Sequence, residues 1–246
     1  MIGAQRSGST YLHSLLDAHP DIAMARPVRP EPKVFLSDEV LARGRQWYVD
    51  TYFAHAPGEA VLGEKSTSYI EDARAASRAE RVLATADVVA VLRDPVARAV
   101  SNWRFSTANG FEHRSLETAL RENLQGARRW DESSTSVSPF AYIERGRYAS
   151  YLEPWLEVFG PRVHIVLLKE LLASPGPLQD LYARLGVAPF TPPSGGDPVN
   201  ASEGPRPELP GDLVEQLSDY YEPSDRALAA ILGRALPWRT YETGRV

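Results

Sequence analysis

The sequence predicts an α/β fold with three layers, in which a central parallel sheet is flanked by helices. Short runs of β-branched apolar residues alternate along the chain with segments of helical periodicity, which is typical of strand–helix–strand units. The chain has 246 residues, of which 43% are apolar, so it is long enough to bury a sizeable core. We therefore expect a single domain over residues 1–246.

Four short apolar runs are the predicted strands. Met1-Ile2 is expected to be the end of the first strand, and the other three are predicted at 60–62, 87–92 and 163–167. Because helical segments separate them, the strands are expected to run parallel to one another.

The predicted helices lie between these strands. An apolar stripe at 12–16 follows a Gly/Ser run, and aromatic residues form a second stripe at 47–53. Asp94 as a cap and Pro95 at the first helical position predict a helix over 96–107.

The last third of the chain carries two more helical patterns and one long loop. Helices are predicted at 151–159, where Pro154 either kinks the helix or sets its start, and around 213–221. Residues 189–210 are rich in proline and glycine, and we expect them to form a loop that returns to the functional site.

The composition excludes several classes of function. The net charge of −5 comes from 32 acidic and 27 basic residues and argues against a general nucleic-acid or anionic-membrane binder. The absence of cysteine excludes disulfides, thiolate nucleophiles and cysteine-ligated metals. No apolar run approaches the length of a membrane span, and the N-terminus does not have the pattern of a signal peptide, so we expect a soluble, cytoplasmic protein.

A glycine-rich loop joins the first predicted strand to the first helix. Its spacing, G-x-x-x-x-G-x-T from Gly3 through Gly8 to Thr10, exposes backbone N–H groups beside a helix N-terminus and is typical of an anion site. Ser9 stands where a Walker A loop has its lysine, and Arg6 supplies a cation earlier in the loop. The pattern therefore favours a phosphate or sulfate group over a nucleoside triphosphate with magnesium, while a turn without a ligand stays the alternative.

Several motifs in a fixed order resemble one enzyme family. Gln5-Arg6-Ser7-Gly8-Ser9-Thr10, followed by His19-Pro20, is similar to the 5′-phosphosulfate loop of sulfotransferases that use 3′-phosphoadenosine 5′-phosphosulfate (PAPS). The later motifs are Glu64-Lys65-Ser66-Thr67-Ser68-Tyr69, Arg93-Asp94-Pro95 with Ser101, Gly146-Arg147-Tyr148 with Trp155, Ser202-Glu203-Gly204-Pro205-Arg206, and Trp238. Over nearly its whole length the chain resembles bacterial relatives of the heparan sulfate sulfotransferase domains. The resemblance implies a P-loop-like α/β fold and PAPS as the donor.

The resemblance also implies catalytic roles for three residues. Glu64 would be the general base, Arg6 would bind the sulfonate or the bridging oxygen, and Lys65 would assist beside the base. Partial burial would raise the pKa of Glu64 toward neutrality, while the adjacent lysine would lower it. A Glu-Lys pair on the surface is the alternative for the last two residues.

A larger set of residues is implied to hold the donor. Arg93 with Ser101 would bind the 3′-phosphate, since an arginine fork gives a phosphate two parallel hydrogen bonds and a hydroxyl adds a third. Tyr148 would either line the nucleotide site or pack against Trp155, and Asp94 would only cap its helix. The residues assigned to the donor are Arg6, Ser7, Gly8, Ser9, Thr10, Arg93, Ser101, Tyr148 and Arg206.

Two features separate this chain from other sulfotransferases. Aryl and alcohol sulfotransferases often use a histidine base, but none of the five histidines occupies the corresponding strand end, and they form no metal set. Pro30-Glu31-Pro32-Lys33 stands where many bacterial relatives have Lys-Glu before an aromatic pair, so Arg29 or Lys33 would replace that lysine or meet the acceptor.

The sequence thus predicts sulfuryl transfer from PAPS to a hydroxyl or amine of a carbohydrate, lipid or secondary-metabolite acceptor, without a metal. Residues 26–45 and 106–140 are the segments expected to contact that acceptor. Two alternatives remain: a P-loop phosphotransferase that uses ATP and magnesium, and a non-catalytic module that binds a nucleotide or a partner.

Overall fold

The computed structural model describes residues 1–56, 58, 61–131, 137–193 and 208–238. The chain divides into two compact units, each made of two segments. The first unit contains Met1–Leu92 and Tyr151–Val199, and the second contains Arg93–Ser150 and Asn200–Val246. This division does not test the single domain over 1–246, which stays a prediction.

The described part of the chain contains four strands and ten α-helices. The strands are β1 (Ile22–Met24), β2 (Val61–Gly63), β3 (Val88–Leu92) and β4 (Val163–Leu167). The helices are α1 (Ser9–Asp17), α2 (Asp38–Leu41), α3 (Gly44–Tyr52), α4 (Ala73–Val82), α5 (Pro95–Ala108), α6 (Leu116–Asn123), α7 (Tyr148–Phe159), α8 (Leu168–Ala173), α9 (Gly176–Arg184) and α10 (Gly211–Leu232).

The strands of the first unit pair in parallel, as predicted. β1 pairs with β2, and β3 pairs with β4 with Ala90 opposite Ile165. All five residues of β3 are buried, which is why it is a continuous apolar run in the sequence. Strand β1 was not predicted, because its three residues, Ile-Ala-Met, contain one β-branched side chain and no alternation.

The first residues of the chain join the two strand pairs. On one side Ile2 N donates to Val89 O at 2.9 Å and Ala4 N donates to Val91 O at 2.8 Å. On the other side Ser66 N donates to Met1 O at 3.1 Å. The predicted first strand therefore lies between β3 and the segment that follows β2, and among the described residues its ladder bridge is the one from Gly3 to Ala90.

Helix α1 packs on this sheet through its apolar face. Leu12 and Leu16 share one buried cluster with Val89 and Val91 of β3 and with Val166 of β4. Burial of these side chains fixes the direction in which α1 leaves the glycine-rich loop, since apolar burial is the main stabilising contribution to such packing.

The second unit is built around α5. The Asp94 carboxylate accepts from Ala97 N at 2.8 Å, so the predicted cap and the proline at the first position both begin this helix. Val96 and Leu120 lie in a buried cluster with Leu213 and Leu217 of α10.

Helix α7 contains a proline. Pro154 lies inside α7, which begins six residues earlier at Tyr148, so the proline does not set the start of the helix.

None of the helices that the structure describes is long and apolar enough to span a membrane.

Candidate active site

The glycine-rich loop has the backbone geometry of a tight anion-binding turn. Arg6 has φ +63° and Gly8 has φ +88°, and helix α1 begins directly afterwards at Ser9. A Cβ atom at Gly8 would lie 2.5 Å from Leu168 Cδ1, so a larger residue in the same place would require the Leu168 side chain to move. Glycine therefore has two reasons to be here, a left-handed backbone and a close approach.

The loop also keeps an unsatisfied donor. Ser7 is fully buried, and its hydroxyl has no hydrogen-bond partner among the described residues. The first N–H groups of α1 likewise lack intrahelical acceptors, as at any helix start, and they lie at the positive end of the helix dipole. A buried hydroxyl beside such amides fits the oxygen atoms of a phosphosulfate.

The segment that follows β2 brings Glu64 next to the start of this loop. Ser66 N donates to Met1 O, and Ile70 N donates to Ile2 O at 3.1 Å. A Cβ atom at Gly3 would lie 2.7 Å from Ile70 Cγ2, so the two segments are in close contact where the loop begins. Glu64 thus lies at the carboxyl end of a parallel strand, where open α/β sheets place ligands.

Three hydroxyl groups hold the Glu64 carboxylate. Tyr48 donates to Oε2 at 2.9 Å, Tyr69 donates to the same oxygen at 3.2 Å, and Ser66 donates to Oε1. A carboxylate has about four lone-pair sites, so these three bonds leave one site for a fourth donor. The acceptor hydroxyl of a transfer reaction is such a donor.

Burial and hydrogen bonding act on Glu64 in opposite directions. Removal from water raises the pKa of its carboxyl group, while the hydrogen bond from Ser66, the positive charge of the Met1 amino group and the hydrogen bonds from Tyr48 and Tyr69 lower it by a smaller amount. The net result is a pKa above the usual value for glutamate, which suits a general base better than an exposed carboxylate. The carboxylate and burial in turn raise the pKa of both tyrosines, which stay protonated donors.

Lys65 is buried and has a carboxylate partner that the sequence did not predict. Its ammonium lies 2.6 Å from Oε1 of Glu31, and the second oxygen, Oε2, accepts from Thr67 N at 2.9 Å and from Thr67 Oγ1 at 3.0 Å. Lys65 is therefore not part of a surface Glu-Lys pair. The departure of Pro30-Glu31-Pro32-Lys33 from the pattern of relatives was the signal that pointed to this segment.

Lys33 contributes its backbone to the same cluster. Its N–H donates to the Ser66 hydroxyl at 2.9 Å, while that hydroxyl donates to Glu64. Phe35 packs against Tyr69 with ring centroids 5.1 Å apart. Part of the segment 26–45 thus supports the Glu64 cluster, and its predicted contact with an acceptor stays a prediction.

The other predicted donor-binding residues belong to the second unit. Ser101 is buried, Arg93 is half-buried, and Tyr148 is fully buried. The Tyr148 hydroxyl donates to the backbone carbonyl of Arg93 at 2.7 Å, and its ring packs edge-on against Trp238. The structure therefore joins Tyr148 to Arg93, two residues that the sequence linked only by motif order.

The predicted site residues are distributed over both compact units. The first unit contains Arg6, Ser7, Gly8, Ser9, Thr10, Glu64 and Lys65, and the second contains Arg93, Ser101 and Tyr148. Arg206 lies outside the described residues. The roles assigned to all of these residues stay predictions.

The segment 106–140 contains a buried carboxylate. Glu112 accepts from Arg114 Nη2 at 2.6 Å and from the Tyr142 hydroxyl at 2.8 Å. Burial alone would raise the pKa of Glu112, but these hydrogen bonds outweigh it and lower the pKa to about 2. His113 beside it is exposed.

Among the described residues, no group of three histidine or acidic side chains could hold a metal ion.

Comparison with known proteins gives consistent matches. The family model described as "Sulfotransferase family" matches residues 1–56, which include the glycine-rich loop. The chain is 27% identical to mouse heparan sulfate glucosamine 3-O-sulfotransferase 3B1, over 97% of this chain and 64% of that protein. It is 30% identical to bifunctional heparan sulfate N-deacetylase/N-sulfotransferase 1 of Caenorhabditis briggsae, over 65% of this chain and 19% of that protein. The chain thus spans less than two thirds of the length of these relatives.

Two solved structures have the same fold. A sulfotransferase from Alicyclobacillus acidocaldarius superposes with a TM-score of 0.77 at 25% identity, covering 96% of this chain and 95% of that one. The sulfotransferase domain from the curacin biosynthetic pathway has a TM-score of 0.52 at 17% identity, over 96% and 97% of the two chains. With parallel strands and surrounding helices, the chain has the P-loop-like α/β fold that the sequence predicts.

Proposed function

Because the chain belongs to the sulfotransferase family, we propose that it transfers a sulfuryl group from PAPS to a hydroxyl or an amine of an acceptor. The observation that carries this proposal is the glycine-rich loop at the start of α1, where Ser7 has a buried hydroxyl without a partner among the described residues. An anion with several oxygen atoms would satisfy that hydroxyl and the amides beside it.

The chemistry requires a base, a cation and a fixed donor. When bound, PAPS supplies a sulfuryl group activated by its 5′-phosphate. Glu64 takes the proton from the acceptor group while that group's lone pair forms the new bond to sulfur. Arg6 stabilises the negative charge that gathers on the bridging oxygen as the sulfur–oxygen bond to the 5′-phosphate breaks, and 3′-phosphoadenosine 5′-phosphate (PAP) leaves with the electron pair.

Glu64 is preferred over Glu31 as the base. Both carboxylates belong to the cluster beside the loop, but the charge of Glu31 is balanced by the Lys65 ammonium at 2.6 Å. The partners of Glu64 are neutral hydroxyl groups, and its pKa is raised. The raised pKa of Glu64 suits it to accept a proton, whereas the Glu31 carboxylate already binds Lys65 and Thr67.

Two groups of residues are proposed to bind the donor. We assign the 3′-phosphate of PAPS to Arg93 and Ser101, and the 5′-phosphosulfate to Arg6 and the residues up to Thr10. Arginine suits this role because its planar guanidinium binds two phosphate oxygens at once. Arg206 is kept as a further donor-binding residue.

A carbohydrate is the proposed acceptor class. The matched relatives are named as sulfotransferases of heparan sulfate, and their printed names specify a glucosamine 3-O position or an N-sulfotransferase activity. The net charge of −5 does not suit a long polyanion, so a short or weakly charged saccharide fits this chain better.

The transfer reaction itself tests the proposal. The protein is incubated with PAPS and a panel of acceptors (short saccharides, a lipid alcohol and a phenol), and sulfated products and PAP are measured by mass spectrometry. We expect PAP and a sulfated saccharide without added magnesium. Sulfation of the phenol or lipid alone would overturn the acceptor class. Phosphorylated products from ATP and magnesium, with none from PAPS, would overturn the reaction.

A further inference from the structure

We infer that Tyr148 is a positioning residue for Arg93 and does not itself contact the donor. The inference rests on the proposed function, because it assumes that Arg93 binds the 3′-phosphate. It changes the role of Tyr148, which the sequence placed in the lining of the nucleotide site.

The contact between the two residues is short and buried. The Tyr148 hydroxyl donates to Arg93 O at 2.7 Å, and the exposed fraction of Tyr148 is 0%. A side chain without exposed surface offers no face to a ligand, so its effect on the donor must pass through the residues that it touches. The carbonyl that it holds belongs to the peptide between Arg93 and the helix cap, Asp94.

Gly146 makes a second contact with the same turn. A Cβ atom at Gly146 would lie 2.7 Å from Pro95 Cβ and 2.6 Å from Tyr221 Cε1. Glycine is therefore required for the chain to approach the first residue of α5 this closely. The Tyr221 hydroxyl donates to Ile143 O at 2.9 Å, which fixes the ring against which Gly146 packs.

The two motifs together form what we call the turn clamp, made of Gly146, Tyr148, Arg93 and Pro95. Gly146 packs on Pro95, and Tyr148 holds the carbonyl of Arg93. Motifs that lie about 50 residues apart thus meet at the turn that carries the proposed phosphate ligand.

Trp238 packs against the tyrosine of the clamp. Its ring centroid lies 6.4 Å from that of Tyr148, and its Nε1 donates to Asp225 Oδ2 at 3.0 Å. A ring that is held between fixed neighbours directs its hydroxyl at one acceptor. Preorganisation of this kind lowers the entropy that binding of a phosphate would otherwise cost at Arg93.

The test compares two ligands that differ in the 3′-phosphate. Tyr148→Phe removes one hydroxyl and keeps the ring, and calorimetry measures the affinity for PAP and for adenosine 5′-phosphate. We expect PAP to bind about threefold to tenfold more weakly, the range of one net hydrogen bond. Adenosine 5′-phosphate should bind within about twofold of its affinity for the unchanged protein, and the effect on PAP should disappear in an Arg93→Ala background.

Tyr182→Phe is the matched control, because it also removes the hydroxyl of a fully buried tyrosine that donates to a backbone carbonyl, that of Leu15 at 2.9 Å, and it lies outside the turn clamp. It should lower the melting temperature as Tyr148→Phe does and leave the affinity for PAP unchanged. Gly146→Ala tests the other contact of the clamp and should also weaken PAP selectively, so the test does not depend on one variant folding well.

The inference is wrong if Tyr148→Phe weakens both ligands equally, weakens neither, or acts equally in the Arg93→Ala background. Failure of the unchanged protein to bind PAP is a different result. That result would overturn the proposed function itself, whereas the results above would overturn only the role of Tyr148.

Discussion

Glu64 is the residue on which the proposed chemistry depends most directly. Its carboxylate is held by Tyr48, Tyr69 and Ser66, and burial raises its pKa. Lys65 is adjacent in sequence, but its charge is paired with Glu31. The hydrogen-bond donors to the carboxylate of the proposed base are therefore neutral hydroxyl groups, while the adjacent lysine is paired with Glu31.

We predict that Glu64→Gln lowers kcat by about 100-fold to 10,000-fold, the usual contribution of general base catalysis. The affinity for PAP should change by less than about threefold, because the amide has nearly the same shape. Glu39→Gln removes the same charge from an exposed site in the same unit and is the control. A larger loss of kcat in Glu31→Gln than in Glu64→Gln would move the role of base to Glu31.

The pH dependence of catalysis gives a second prediction. Since Glu64 must be deprotonated to act, kcat should rise with pH through the raised pKa of its carboxyl group. Tyr48→Phe removes a hydrogen bond that lowers that pKa, so the acidic limb of the profile should move to higher pH. A pH–rate profile of the two proteins checks this, and an unchanged limb would show that Glu64 does not set it.

His13 in α1 gives a prediction about stability. Burial lowers the pKa of its imidazole to about 4, from the usual value near 6.5. Between these two pH values the His13 imidazole is protonated in the unfolded chain but neutral in the folded chain. The protein should therefore lose stability as pH falls from about 6.5 to about 4. The loss should be about 1–2 kcal/mol in urea unfolding, and His13→Gln should reduce it. Equal losses in both proteins would contradict the assignment to His13.

At the scale of elements, the connection between the loop and α1 is constrained by α8. Gly8 has φ +88°, and its missing side chain leaves space for Leu168. An alanine here would meet both a backbone penalty and a steric one. The start of α1 and its amides therefore depend on a contact between the loop and the helix that follows β4.

We predict that Gly8→Ala lowers the free energy of unfolding by about 2–4 kcal/mol, of which about 1–2 kcal/mol is the cost of a left-handed backbone. Gly186→Ala is a matched control in the same unit, since Gly186 has φ +73° and nothing within 4 Å of its added Cβ atom. Chemical denaturation measures both variants. An equal loss in the two would show that the Leu168 side chain moves aside at little cost.

The helices and strands that are defined by residues close together in the sequence were predicted correctly. Strand β3 is a buried apolar run and α5 begins with a cap and a proline, so neighbouring residues in the sequence suffice to identify both. The partner of Lys65 was not predicted, because Glu31 lies 34 residues away and its role depends on how two loops pack. The tyrosines around Glu64 were missed for the same reason, since helical periodicity gives the buried face of α3 but not which carboxylate that face meets.

For the molecule as a whole, the net charge is negative, and the proposed donor is also a polyanion. The chain has 27 basic residues against 32 acidic ones, so its overall field does not attract PAPS. The proposed donor binding therefore depends on local groups, which we propose to be the loop amides, Arg6 and Arg93. The same reasoning disfavours a long sulfated chain as the acceptor.

The proposed function requires that this molecule binds a 3′-phosphorylated nucleotide in preference to a triphosphate. Isothermal titration calorimetry with PAP, and with ATP in the presence of magnesium, measures this on the unchanged protein and on Arg93→Ala. We predict that PAP binds more tightly than ATP and that Arg93→Ala loses most of the affinity for PAP. No binding of PAP, or tighter binding of ATP with magnesium, would show that the protein does not have the proposed function.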